Sequence, residues 1–196
     1  MRIIAGALGG RRLAAPAGDD TRPTSDRVRE AIFNILGPPA DDARVLDLFA
    51  GSGALALEAL SRGAASAVLV ERAAEPARLI LANAASLDVS DRVRVVRADV
   101  AATIPRLAAS DPPFTWIFID PPYARPKTAK AAATEDHAGR ALALLGDGDA
   151  PLVAADGVVI VEHDRRIAPP DDVGPLARAD LRRYGDTEVS FYRRSR

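Results

Sequence analysis

The 196 residues include no cysteine, 26 Lys and Arg against 27 Asp and Glu, and 48% hydrophobic residues, for a formal net charge of −1. Such a chain can bury roughly 70% of its unfolded surface in a single globular domain. The composition excludes disulfides and thiolate metal sites, fits a reducing, cytoplasmic compartment, and excludes a uniformly basic nucleic-acid binder.

In chain order, Met1 to Leu8 is apolar but too short for a secretory signal. Arg11-Arg12 follow it with no apolar region behind them, and no later run is long enough to span a bilayer. Arg2 to Gly6 and Arg11 to Ala14 read as a small hairpin around Gly9-Gly10. A helix is predicted from Asp26 to Leu36, with Thr24 or Ser25 as cap, Val28, Ile32, Ile35 and Leu36 on one face, and Gly37-Pro38-Pro39 as stop. Residues 1–40 thus form a hairpin-and-helix extension ahead of a core spanning 41–196. Within that core, strands at Val45, Val68, Val93, Trp116 and Val158 to Val161 alternate with helices at Ala54 to Arg62, Ala74 to Leu87, Val100 to Ala108 and Gly139 to Leu145. Regular alternation predicts an α/β fold with a mostly parallel, Rossmann-like sheet. Two closing strands, Asp180 to Tyr184 and Glu188 to Arg193, meet at Gly185-Asp186 and add an antiparallel hairpin. Trp116 reads as core. His137 and His163, the only histidines, lack a metal-ligand neighbourhood and read as surface residues, so no metal site is expected.

Two motifs carry the chemistry. The strand Val45 to Leu48 runs through Phe49-Ala50-Gly51-Ser52-Gly53 into a helix, a nucleotide-type loop whose glycines allow close approach and whose helix start offers free N–H groups. Gly51-Ser52-Gly53-Ala54-Leu55-Ala56 also fits a dinucleotide fingerprint. Asp47 separates the two readings: a carboxylate four residues before the first glycine is awkward beside a pyrophosphate but suits S-adenosylmethionine, which bears an amino group, a sulfonium and no phosphate. Glu71, ending the next strand, can accept from ribose hydroxyls, and Asp99, ending the third, from the adenine amine. The second motif, Asp120-Pro121-Pro122-Tyr123, follows the apolar run Phe114 to Ile119. Two prolines remove backbone donors, leaving acceptors at a strand end, and Tyr123 supplies a flat ring. That set suits a planar nucleobase amine. The near copy Asp111-Pro112-Pro113-Phe114 precedes the strand and reads as a turn.

Charge placement adds a third signal. Arg11 and Arg12 stand in an acid-free start, six arginines lie between Arg178 and Arg196, and both lysines, Lys127 and Lys130, follow the Asp120 tetrad together with Arg125. This distribution can hold a phosphate backbone around the reacting centre.

Three stretches, Thr21 to Asn34, Asp47 to Gly53 and Asp120 to Tyr123, strongly resemble the bacterial RsmD family of 16S ribosomal RNA guanine-N2 methyltransferases. Met1 to Gly6 and Tyr184 to Tyr192 are also similar to it. Ala56 stands where that family often has glycine, and Ala124 to Ala138 is longer than usual. The resemblance implies a class I methyltransferase fold, S-adenosylmethionine as donor, and N2-methylation of one guanine in 16S rRNA within an assembled or nearly assembled small subunit. By motif, Phe49 to Gly53 would cradle the methionine part, Glu71 the ribose, Asp99 the adenine, and Asp120 to Tyr123 the target guanine. Thr24 would lie near the cofactor's carboxylate end, and Arg22 would join Arg11, Arg12, Arg125, Lys127 and Lys130 as RNA contacts. The competing expectations are methylation of another planar nitrogen, DNA adenine N6 or a protein glutamine amide, a nicotinamide-dependent oxidoreductase, and a catalytically silent RNA-binding module.

Overall fold

The computed structural model describes residues 1–15, 25–122, 136–148 and 152–195. Parallel strands β1 (Arg44–Asp47), β2 (Ser66–Val70), β3 (Val93–Val96), β4 (Phe114–Ile119) and β5 (Val153–Asp164) alternate with helices α2 (Ala54–Ser61), α3 (Ala74–Ser86), α4 (Val100–Ser110) and α5 (His137–Leu145), behind an initial helix α1 (Asp26–Leu36). Antiparallel strands β6 (Asp172–Val173), β7 (Leu176–Tyr184) and β8 (Thr187–Arg194) complete one eight-stranded sheet in the order β3-β2-β1-β4-β5-β8-β7-β6. The order reverses at β1, whose neighbours are β2 and β4, so the crevice of the open sheet lies at the carboxyl ends of those strands.

Alternate residues of each buried strand feed two apolar layers. Val45, Trp116, Phe118, Val158 and Ile160 pack with α1, α2 and α3, whereas Leu46, Ile117, Ile119, Val159 and Val161 pack with α4 and α5. Phe33 of α1 seats edgewise on Trp116, with ring centroids 5.9 Å apart, and against Phe118 at 5.7 Å. The helix starts where Ser25 Oγ accepts from the Val28 amide, and Gly37 ends it at φ 73°. Its buried face differs from the expected one: Val28, Arg29, Ile32 and Phe33 point inward and Ile35 is 40% exposed, because the helix leans on β4 through Phe33.

The amino-terminal segment is a strap with a single antiparallel bridge, Arg2 to Arg12, and it is latched to α2. Glu58, the one charged side chain in that apolar helix, is fully buried and accepts from the amides of Ile4 (2.7 Å) and Ala5 (3.0 Å) and from Arg62 Nε (2.8 Å). Arg29, also fully buried, donates to Asp26 and to the Arg2 carbonyl. Ser61 Oγ accepts from the Leu8 amide at 3.0 Å and donates to the Ala5 carbonyl at 2.6 Å. The buried charge of Glu58 is tolerated because each of its oxygens meets donors, whereas Arg29 Nε and Nη1 are buried with no hydrogen-bond partner among the described residues.

His163 was expected at the surface and is instead 3% exposed. Its strand is flanked by β4 and β8, and its Nε2 lies 2.8 Å from the Ser190 hydroxyl. Burial holds this imidazole below its usual pKa. His137, at the start of α5, is exposed. No described helix is long and apolar enough to cross a membrane.

Candidate active site

Each acid of the rim is delivered by the end of a strand. Beyond Asp47 the loop is pinned on both sides, since the Leu48 amide donates to the Phe118 carbonyl of β4 (3.0 Å) and the Ala50 amide to the Val70 carbonyl of β2 (3.1 Å). Gly51 and Gly53 have φ of 53° and 80°, conformations in which an L side chain is strained. A Cβ at Gly53 would also press on Leu69 at 3.1 Å, whereas Gly51 faces open space. The loop is braced from two directions. Glu71 Oε2 accepts from the Gly51 amide (3.1 Å) while its Oε1 accepts from the Ala73 amide (2.7 Å). Buried Asn83 of α3 donates to the carbonyls of Ser52 and Ala14, both at 3.0 Å, and accepts from the Ala14 amide at 2.9 Å. One amide side chain therefore ties the glycine loop to the amino-terminal strap.

Asp47 is 1% exposed, and its Oδ1 is buried with no hydrogen-bond partner among the described residues. Burial pushes its pKa up to about 7; the negative charge of Asp120 adds to the push, and the backbone N–H groups of Ala56 and Phe49 oppose it. A buried, incompletely satisfied carboxyl under a glycine loop is the arrangement a cationic ligand would complete, and the amino group of S-adenosylmethionine is such a cation. The chemistry of this donor set therefore fits that cofactor and not a pyrophosphate.

Asp120 follows β4 and couples electrostatically to Asp47, so the two motifs share one crevice. Pro121 is buried and Pro122 exposed. Asp99 is exposed at the end of β3, where it caps α4 by accepting from the Ala101 amide at 2.9 Å. The Phe49 ring, on the same rim, meets the ring of His137 with centroids 6.3 Å apart. Asp111 stands at the opposite end of β4, accepting from Arg44 at 3.2 Å and paired with Arg94, which holds its carboxyl below the usual range. Arg11 and Arg12 are exposed, Arg11 lying 3.4 Å from Asp88. Thr24, Arg22, Tyr123, Arg125, Lys127 and Lys130 lie outside the described residues. Toward the carboxyl end, Arg178, Arg182 and Arg183 are paired with Asp171, Asp180 and Glu188, which consumes part of the positive charge expected there.

Sequence reading missed Asn83, Glu58 and Arg29. Glu58 had a signal, a lone acid in an otherwise apolar helix; Asn83 had none, because its partners are backbone groups 31 and 69 residues away.

A parallel sheet that reverses at β1, an antiparallel end, and a glycine loop set over a buried acid define a class I S-adenosylmethionine-dependent methyltransferase. A family model described as "Conserved hypothetical protein 95" matches residues 1–193, and the chain belongs to this family, the RsmD family. It is 38% identical over 194 residues to the Bacillus subtilis protein named "Putative rRNA methyltransferase YlbH", covering 99% of both chains. Over 125 residues it is 45% identical to the Escherichia coli ribosomal RNA small subunit methyltransferase D, which spans 64% of this chain and 61% of that one. The solved structure described as "Putative methyltransferase yhhF from Escherichia coli" superposes with a TM-score of 0.79 at 31% identity, covering 100% of this chain and 98% of that one.

Proposed function

We propose that this protein methylates the exocyclic N2 of a guanine in small-subunit (16S) ribosomal RNA, with S-adenosylmethionine as methyl donor. The observation that carries the reading is the juxtaposition of buried Asp47, beneath the glycine loop, with Asp120, at the head of the Asp-Pro-Pro-Tyr motif. It sits in a chain similar over its whole length to a protein named as an rRNA methyltransferase. Asp47 and the Phe49 to Gly53 backbone would hold the amino-acid part of the donor, with Thr24 nearby, Glu71 its ribose and Asp99 its adenine. Bound there, the donor supplies an already activated sulfonium methyl. What the chain adds is position. The guanine stacks on Tyr123, which contributes ~1 to 3 kcal/mol. Asp120 and the Pro121 carbonyl accept the two amine hydrogens and aim the nitrogen at the methyl. Arg11, Arg12, Arg22, Arg125, Lys127 and Lys130 would contact phosphates of an assembled or nearly assembled small subunit.

The test is to incubate the protein and labelled donor with small subunits lacking this methylation and to map the labelled base. Asp120→Ala should abolish transfer, whereas Asp111→Ala should leave it nearly unchanged. Label on a different base, on protein, or nowhere would refute the reading, as would equal losses in the two folded variants.

A further inference from the structure

Asp120 is not the only acid at this end of the sheet. β4 and β5 pair in parallel, Phe118 opposite Ile160 and Ile119 opposite Val161, so the next residues along the two chains are Asp120 and Glu162. The ladder ends at Ile119 and Val161, and continuing it by one position at the spacing of neighbouring strands, about 4.8 Å, would set these two residues side by side. Alternation places them on one face. Trp116 and Phe118 on β4, and Val158 and Ile160 on β5, all enter the layer beneath α1, α2 and α3, and the next position in each series is Asp120 or Glu162. Asp47, two residues after Val45 on β1, belongs to the same face, and the charge of Asp120 reaches it. Glu162 is only 8% exposed. This face of the crevice therefore holds a third carboxylate, besides Asp47 and Asp120, with no part in the roles given above.

A guanine presented for N2 methylation brings more than its amine. Its Watson–Crick edge carries a ring N1–H next to the N2 hydrogens, and an extruded base is read by hydrogen bonds to that edge. With the amine hydrogens on Asp120 and the Pro121 carbonyl, N1–H needs an acceptor of its own, since a buried unsatisfied donor costs ~1 to 3 kcal/mol. We infer that Glu162 is that acceptor and is the residue that selects guanine. The inference rests on the guanine-N2 reading. Adenine, whose amine is flanked by a bare N1, would turn a lone pair toward the Glu162 carboxylate, and so would 2-aminopurine, which keeps the 2-amine but lacks N1–H together with the 6-oxo group. The O6 loss is common to wild type and variant, so the change in preference on altering Glu162 reads the N1 contact alone. A site built to bind an N–H rejects the analogue lacking it far more strongly than an apolar pocket rejects a missing methylene.

The experiment uses the full-length protein on small subunits whose rRNA carries either guanine or 2-aminopurine at the mapped position. Wild type should favour guanine in kcat/KM by about 1,000-fold or more. Glu162→Gln, whose amide can turn its NH2 toward a bare N1, should lower that preference by about 100-fold, with donor affinity by calorimetry unchanged. Comparable rates on both bases in wild type would overturn the inference without any variant. So would an equal proportional loss on both bases in Glu162→Gln, the pattern of a merely structural residue. Failure of wild type on the guanine subunits would instead refute the guanine-N2 reading itself, and the inference with it.

Discussion

The buried carboxyl beneath the glycine loop makes donor binding pH-dependent in a way that can be worked out beforehand. With no cation present Asp47 titrates at about 7, so the anion that should receive the donor's amino group is only a fraction of the population below neutrality. Taking the ionised form as the competent one, that fraction is ~3% at pH 5.5 and ~75% at pH 7.5, and apparent affinity should rise about 25-fold between them. The window stops there because an α-amino group begins to lose its own proton near pH 7.7 to 8.0. The sign also fixes the stability profile. The folded-state pKa lies above the ordinary 3.8, so the stability this group contributes is fully present below pH 3.8 and is lost as pH rises through about 7. Saturating donor should offset that loss. Calorimetry across the range, in buffers of different ionisation enthalpy, checks both the slope and the release of about half a proton per site at pH 7. Asp47→Asn should bind weakly with a flat profile. Asp120→Asn should shift the rise toward lower pH, because it removes the second-largest influence raising the Asp47 pKa. A wild-type affinity that is constant from pH 5.5 to 7.5 would refute the assignment of Asp47 to the donor's cation.

Other perturbations separate the supports of the site from its chemistry. Asn83→Leu should destabilise the fold by about 2 to 3 kcal/mol and weaken donor binding, since it strips partners from Ser52 and Ala14 at once; denaturant melts and calorimetry check it. Glu58→Ala should cost about 1 to 3 kcal/mol by removing the acceptor shared by the Ile4 and Ala5 amides and Arg62 Nε, while Arg29 keeps Asp26, and hydrogen exchange should show the amides of Ile4 and Ala5 unprotected. Tyr123→Phe should retain most activity and Tyr123→Ala little in single-turnover methyl transfer, because stacking uses the ring face and not the hydroxyl.

Periodicity and strand ends carried most of this architecture. Apolar runs located five parallel strands, and the acids Asp47, Glu71, Asp99 and Asp120 were found by standing at or just beyond such runs. The start of β5 at Val153 was hidden, because Ala154 to Gly157 interrupt the apolar pattern where the pairing with β4 shifts register between Phe114 and Trp116. A Cβ at Gly157 would lie 3.0 Å from the Phe114 carbonyl, so the interruption marks a close backbone approach and not a loop. β6, two residues long, is too short to leave a period. The burial of His163 was illegible for another reason: which strand end is covered depends on β8 packing alongside, its partner Glu188 standing 25 residues later. The buried face of α1 was misassigned at Ile35 because an inward arginine, Arg29, breaks the apolar stripe that would have set its phase.

The latch between the strap and α2 has a consequence for biosynthesis. Ile4, Ala5 and Leu8 leave the ribosome more than fifty residues before the side chains of Glu58 and Ser61 that hold them, and Ala14 precedes Asn83 by 69 residues. Made first, the strap cannot acquire its shape until the glycine loop, α2 and most of α3 have been translated and packed, because these distant contacts must close a loop before they return any energy. Arg11 and Arg12 are thus presented in a fixed orientation only on a chain whose glycine loop is already built. A nascent or truncated chain would carry the same basic residues with no defined surface to display them.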